Sequence, residues 1–178
     1  MARVPRESFV PSEARRDAYA DAALALSHGQ TISQPFIVAL ICQALELQGG
    51  ERVLDVGTGS GYQAAVLAEL AGEVVSVERI PELAQQARRN LAAGGYDVDV
   101  RVGDGSQGVP ERAPFDGIAV AAAAGELPQA LYDQLVIGGR LVLPIGDSLV
   151  SVTRTPTGAR TRFLSSVRFV PLVHGLPD

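Results

Sequence analysis

The chain has no tryptophan, no lysine, one cysteine and two histidines, and each scarcity removes a class of reading. A single cysteine, Cys42, excludes an internal disulfide and fits a reducing cytoplasm. It sits in an apolar helical pattern with Ile37, Val38, Leu40, Ile41 and Leu45, the setting of a packed thiol and not of a nucleophile. His28 and His174 have no cysteine or histidine partner at ligand spacing, so no metal centre is expected. The fifteen basic residues are all arginine and are scattered, apart from Arg15-Arg16 and Arg88-Arg89, which read as solvated helix faces. With a net charge of −5 and 5% aromatics there is no basic stripe with interleaved aromatics, which argues against a nucleic-acid partner. No apolar run approaches the ~20 residues of a membrane span. The opening MARVPRESFV lacks the apolar centre of a signal peptide. The expectation is a soluble, cytoplasmic protein with one domain over residues 1–178.

What the chain does have is concentrated between Val53 and Leu70. A short apolar run, Arg52-Val53-Leu54-Asp55-Val56, breaks into Gly57-Thr58-Gly59-Ser60-Gly61 and then becomes helix-like. A strand, a glycine-rich turn and a helix open a nucleotide-type site at the carboxyl edge of a sheet. The spacing selects the ligand. A dinucleotide fingerprint places its third glycine where this chain has Tyr62. Asp55, two residues before the first glycine, would repel a pyrophosphate and tolerate a cationic ligand. Glu78 follows Gly57 by 21 residues at the end of the run Val74-Val75-Ser76-Val77, where a carboxylate can take both ribose hydroxyls. Acid, glycines and ribose acid together read as an S-adenosylmethionine site. Val102-Gly103-Asp104-Gly105 adds a third element: Asp104 can accept the adenine amino group beside a main-chain N–H donor.

Helical pattern covers 34–47, with Pro35 in its first turn and Gly49-Gly50 after its end. Residues 1–33 are irregular apart from a short helix around Ser12 to Asp21. Strands are expected at 52–57, 73–78, 98–102, 115–121 and 139–145, with helices at 61–71, 81–93 and 127–136. Residues 148–155 and 162–171 read as a terminal hairpin around Thr155-Pro156-Thr157-Gly158. Strands alternating with helices mean an α/β fold with a doubly wound, mostly parallel sheet. With the antiparallel hairpin at its end, this is the layout of the S-adenosylmethionine-dependent methyltransferase fold. Residues 1–50 form a covering segment and helix, and 51–178 the core sheet. Between them, Gly29-Gln30-Thr31-Ile32-Ser33-Gln34-Pro35 is a neutral polar loop leading into the helix on the open side of the crevice. One reading of it is structural, with Ser33 or Gln34 capping that helix.

Over nearly its whole length the chain resembles the protein-L-isoaspartate O-methyltransferase family, which repairs isomerised aspartate and deamidated asparagine. The resemblance rests on Val4-Pro5-Arg6-Glu7 with Phe9-Val10-Pro11, on the segment from Gly29 to Pro35, and on Val53 to Gln63. It continues through Ser76-Val77-Glu78-Arg79, Val102-Gly103-Asp104-Gly105, Pro114-Phe115-Asp116 and Val167-Arg168-Phe169-Val170-Pro171-Leu172. The segments Thr31 to Pro35 and Val167 to Leu172 are specific to this family, whereas the glycine turn is shared by many methyltransferases. Family members carry a further helical stretch before the segment at Val4, and the sequence begins almost on it. Ala121 stands where the family has threonine or another small residue, and Gly125 replaces a common proline.

The resemblance implies that Ser33 belongs to the active site. It also implies cofactor contacts from Thr31, Ile32, Ser33, Asp55, Gly57, Gly59, Ser60, Gly61, Glu78, Arg79, Asp104 and Gly105. The implied reaction is methyl transfer from S-adenosylmethionine to the free carboxylate of L-isoaspartyl residues in damaged proteins and peptides, with repair proceeding through a succinimide. The implied partners are those proteins and peptides, with no nucleic acid and no membrane, and the chain is expected to be a monomer. Competing readings are an aspartate O-methyltransferase acting on a natural-product peptide, and an S-adenosylmethionine-binding protein with weak activity. A nicotinamide dehydrogenase is disfavoured by Tyr62.

Overall fold

A computed structural model describes residues 1–177. The chain runs through β1 (Leu24–Ala25), β2 (Thr31–Ile32), α1 (Pro35–Leu45), β3 (Arg52–Val56), α2 (Tyr62–Ala68), β4 (Glu73–Glu78) and α3 (Pro81–Gly94). It continues through β5 (Asp99–Val102), β6 (Phe115–Val120), α4 (Gln129–Asp133), β7 (Leu135–Ile145), β8 (Ser148–Thr155) and β9 (Gly158–Ser166). Seven strands form one sheet in the order β5-β4-β3-β6-β7-β8-β9. The first five are mutually parallel, and β8 and β9 join antiparallel. Strand order reverses between β3 and β6, which opens a crevice beyond their carboxyl ends.

The strands that flank this crevice are buried on both faces, as parallel strands covered by helices must be. Alternation along β3 sends Val53 to one side, where it packs with Ile41, Leu45, Leu67 and Leu91 of the first three helices. Leu54 and Val56 go to the other side, with Ile118, Leu131 and Leu141. The amino-terminal segment belongs to the first of these clusters through Val4, Phe9, Val10 and Ala18. Arg6 pins it there: its Nε donates to the Ala18 carbonyl at 2.7 Å, and its guanidinium lies 4.8 Å from the centroid of the Tyr62 ring. Among the described residues no helix is long and apolar enough to cross a membrane.

Four expectations from the sequence are corrected. Thr31–Ile32 is a strand paired with Leu24–Ala25, so the polar loop before α1 is half of a small ribbon. Neither Ser33 nor Gln34 caps α1. Asp21 does so from 15 residues away, accepting from the Phe36 N–H at 3.1 Å and from Gln34 Nε2 at 3.3 Å. The helix expected at 127–136 is only Gln129–Asp133, because β7 starts early at Leu135 and passes through an irregular register around Gly138-Gly139. The second hairpin strand spans Gly158–Ser166 and does not reach residue 171. Pro171 cannot donate to a ladder. The tail instead crosses to the sheet's carboxyl edge, where Val170 O accepts from Ala123 N at 2.8 Å and Leu172 N donates to Ala123 O at 2.7 Å.

A distant cap makes a measurable claim. Asp21→Ala should cost about 1 kcal/mol of stability, the usual worth of an N-terminal cap, while Ser33→Ala should cost little. Urea midpoints of the two variants check this, and the reverse order would show that Ser33 is the cap.

Candidate active site

The glycine turn is held from below. Asp55 is completely buried at the end of β3, where Oδ1 accepts from Gln63 Nε2 at 2.8 Å and Oδ2 from Ser76 Oγ at 2.7 Å. Ser76 has one hydroxyl proton and gives it to Asp55, so Thr58 Oγ1, 2.6 Å away, donates to Ser76. One carboxylate thereby ties together β3, β4, α2 and the turn. Burial pushes the Asp55 carboxyl up to about 6; its bonds to Gln63 and Ser76 oppose the rise, and the nearby charge of Glu78 adds to it. Asp55 points at α2, on the side of the sheet that Val53 faces, both its oxygens are bonded by protein donors, and it does not line the cavities beside the turn. Gly61 enters α2 with φ 90°, and a Cβ there would lie 3.1 Å from Leu91 Cγ, so this glycine serves helix packing.

Above the turn lies a cavity of about 90 Å³. Of the expected contacts, Thr31, Gly57, Gly59, Glu78, Arg79 and Gly105 line it. Glu78 is presented by main chain, since Oε2 accepts from Gly59 N at 2.9 Å and Oε1 from Ile80 N at 3.1 Å. Each carboxylate oxygen keeps a further lone pair for a hydroxyl. Gly105 approaches so closely that a Cβ would sit 2.7 Å from Val56 Cγ1. Aliphatic walls come from Val56, Val77, Ile80 and the tail residues Val170 to Val173. An acid for two hydroxyls between apolar walls and unsubstituted backbone suits an adenosine, so these residues fit S-adenosylmethionine.

Asp104 stands beside this cavity with its carboxylate committed. Oδ1 accepts from Ser106 N at 2.9 Å and Ser106 Oγ at 2.6 Å, while Oδ2 accepts from Gly175 N at 2.8 Å. Burial raises the Asp104 carboxyl, but these hydrogen bonds and the nearby His174 outweigh it and hold the group below its ordinary range. The tail residues Val170 to Gly175 are the part of the site that strand periodicity missed. The signal available was Pro171, which cannot donate to a ladder and so weakens a strand drawn through it.

Ile32, Ser33 and Ser60 line a small adjoining pocket of about 30 Å³ with Thr31, Gly57 and Gly59. On the other side of Thr31 and Ser33 opens a groove of about 550 Å³, closed opposite by Asp147 and residues 165–169. Ser33 is thus half-buried in a wall with the glycine turn behind it and an open groove in front.

A crevice at the strand-order reversal, with a glycine turn and the Glu78 carboxylate lining it, is the arrangement of an S-adenosylmethionine-dependent methyltransferase. Comparison with known proteins narrows the class. The family model described as protein-L-isoaspartate(D-aspartate) O-methyltransferase matches residues 1–176. Relatives named protein-L-isoaspartate O-methyltransferase include one from Marinobacter nauticus, 56% identical over 97% of this chain and 82% of its own. Another, from Methanoculleus marisnigri, is 52% identical over 97% of this chain and 81% of its own. A solved protein-L-isoaspartate O-methyltransferase superposes with a TM-score of 0.86 at 32% identity, over 94% of this chain, which spans 58% of that longer chain. A Plasmodium falciparum beta-aspartate methyltransferase in complex with S-adenosyl-L-homocysteine gives a TM-score of 0.82 at 28% identity, covering 97% of this chain and 87% of that one. The chain belongs to the protein-L-isoaspartate(D-aspartate) O-methyltransferase family.

The raised Asp55 carboxyl has a consequence for stability. The folded state holds this proton up to about pH 6, whereas an unfolded aspartate releases it near pH 4. Between those values the folded state binds more protons, so the contribution of Asp55 is fully present below about pH 4 and is lost as pH rises through about 6. Relative to Asp55→Asn, the native protein should therefore lose stability from about pH 4 to 6.5, read from urea midpoints of both proteins. A difference that stays flat across that range would contradict the burial account.

Proposed function

We infer that this protein transfers a methyl group from S-adenosylmethionine to the free carboxylate of L-isoaspartyl residues in proteins and peptides, the first step of their repair. The observation that carries the reading is the wall of Thr31 and Ser33, which divides a glycine-lined cavity from an open groove large enough for a peptide segment. Homologues at 52–56% identity carry the name of this activity.

A carboxylate is ionised at neutral pH, so its attack needs no general base. S-adenosylmethionine, when bound, supplies a methyl group made electrophilic by its sulfonium sulfur. The protein's task is to strip water from the carboxylate and aim it, and such orientation is worth up to ~7–11 kcal/mol in favourable cases. Ser33 donates a hydrogen bond to one carboxylate oxygen, which a residue freed from capping α1 is able to do. Glu78 takes the ribose hydroxyls, Asp104 the adenine amino group, and Gly57, Gly59 and Gly105 admit the cofactor against main chain, with Thr31, Ile32, Ser60 and Arg79 around it. Asp55 and Gly61 support the turn. The methyl ester then closes without the enzyme: the following amide nitrogen attacks the ester carbonyl, methanol leaves, and a succinimide forms. The same reading takes residues 1–178 as one domain acting as a monomer in the cytoplasm, without nucleic-acid or membrane partners. The net charge of −5 and the single cysteine, which can form no internal disulfide, support it.

Two synthetic peptides that differ only in having isoaspartate or aspartate at one position test the function. Methyl transfer should be confined to the isoaspartyl peptide, and Ser33→Ala should reduce that rate at least tenfold with S-adenosylhomocysteine affinity nearly unchanged. Equal rates on both peptides would overturn the repair assignment. A Ser33→Ala enzyme with full turnover would remove the role given to Ser33.

A further inference from the structure

We propose that His174 and Gly175 of the carboxyl-terminal tail are positioning residues for the adenine-reading carboxylate of Asp104. The proposal rests on the reading of Asp104 given above and adds what fixes its direction. An aspartate beside a turn can rotate its carboxylate and exchange its two oxygens. Here three of its four lone-pair directions are occupied. Ser106 supplies two donors to Oδ1, at 2.9 Å from its amide and 2.6 Å from its hydroxyl. Gly175, 71 residues further along the chain, supplies the donor to Oδ2 at 2.8 Å. One acceptor direction on Oδ2 is left, with its line of approach defined by the other three.

The tail reaches both ends of this arrangement. Ser106 Oγ has a single proton and spends it on Asp104, so the 2.8 Å contact with His174 Nδ1 requires the ring to donate. The imidazole, together with Gln107 Nε2, which donates to the same oxygen at 3.3 Å, thus holds the Ser106 hydroxyl in the orientation that serves Asp104. Gly175 is itself gripped from the opposite side, its carbonyl accepting from Arg79 Nε at 3.2 Å. Arg79 lines the cavity directly after Glu78. The residue that orients the adenine acid is therefore anchored next to the ribose acid. Upstream, the pairing of Val170 and Leu172 with Ala123 holds the approach of the tail across the cavity. Strand order alone does not supply this device, because its donors come from a segment outside the sheet.

The test uses two ligands that differ at the adenine amino group: S-adenosylhomocysteine and S-inosylhomocysteine, where a carbonyl oxygen replaces the amino group. Calorimetric affinities for both are measured on the full chain, on His174→Ala, on a semisynthetic chain with Gly175→sarcosine, which lacks the N–H but keeps the freedom of glycine at its φ of 76°, and on Asp104→Asn. His174 and Gly175 are exposed, so neither change opens the core. The native protein should prefer the adenosyl ligand, and each tail variant should reduce that preference by about tenfold, the size of one hydrogen bond to a charged group, with inosyl affinity changed far less. Equal weakening of both ligands would reduce the tail to a cover over the cavity and overturn the proposal. If Asp104→Asn abolishes the preference while both tail variants keep it, the proposal fails and the role of Asp104 stands. If Asp104→Asn keeps the preference, the role of Asp104 fails and takes the proposal with it.

Discussion

Everything at the carboxyl edge of the sheet depends on how the buried Asp55 is satisfied. A carboxylate without solvent is costly unless hydrogen-bonded, and the cost is offset here by donors drawn from different elements. Gln63 comes from α2 and Ser76 from β4, and Thr58 in the glycine turn supports Ser76. Satisfying one buried acid therefore fixes three neighbours at once. The main chain repeats the linkage, with Gly57 N donating to Val77 O at 2.9 Å and Gly59 N to Glu78 at 2.9 Å. The turn, Glu78 and the start of α2 are consequently set in one frame before any ligand arrives.

On that frame the division of labour is spatial. The cavity and the groove meet at Thr31 and Ser33, and among the described residues that line them there is no histidine. Asp21 matters in this setting because it takes over the capping of α1 from a distance, which leaves Ser33 available to the groove. The small ribbon of β1 and β2 serves the same end by giving Thr31 and Ile32 a fixed backbone.

Much of this was legible in the sequence where local pattern decides it. The strand, turn and helix around Gly57, the acid at Glu78 and the parallel alternation followed by an antiparallel pair all follow from periodicity and punctuation. Motif logic reads Asp55 as a ligand contact, because a carboxylate before a glycine turn looks like one. Strand alternation points elsewhere, since Asp55 must share the face of Val53, which the helices cover. Asp21, 15 residues from the N–H it caps, and Gly175, 71 residues from Asp104, could not be found this way. Their partners are neighbours only after the chain has folded. The early start of β7 depends likewise on the pairing with β6 that tolerates Gly138-Gly139.

The central claim is that Asp55 builds the site from beneath while Glu78 meets the ligand. A crystal structure of this protein with S-adenosylhomocysteine tests it most directly. The account predicts both ribose hydroxyls within hydrogen-bonding distance of Glu78, and Asp55 still bonded to Gln63 and Ser76 with no ligand atom in reach. Asp55 turned out of that network to bond the cofactor, or a ribose placed away from Glu78, would contradict it.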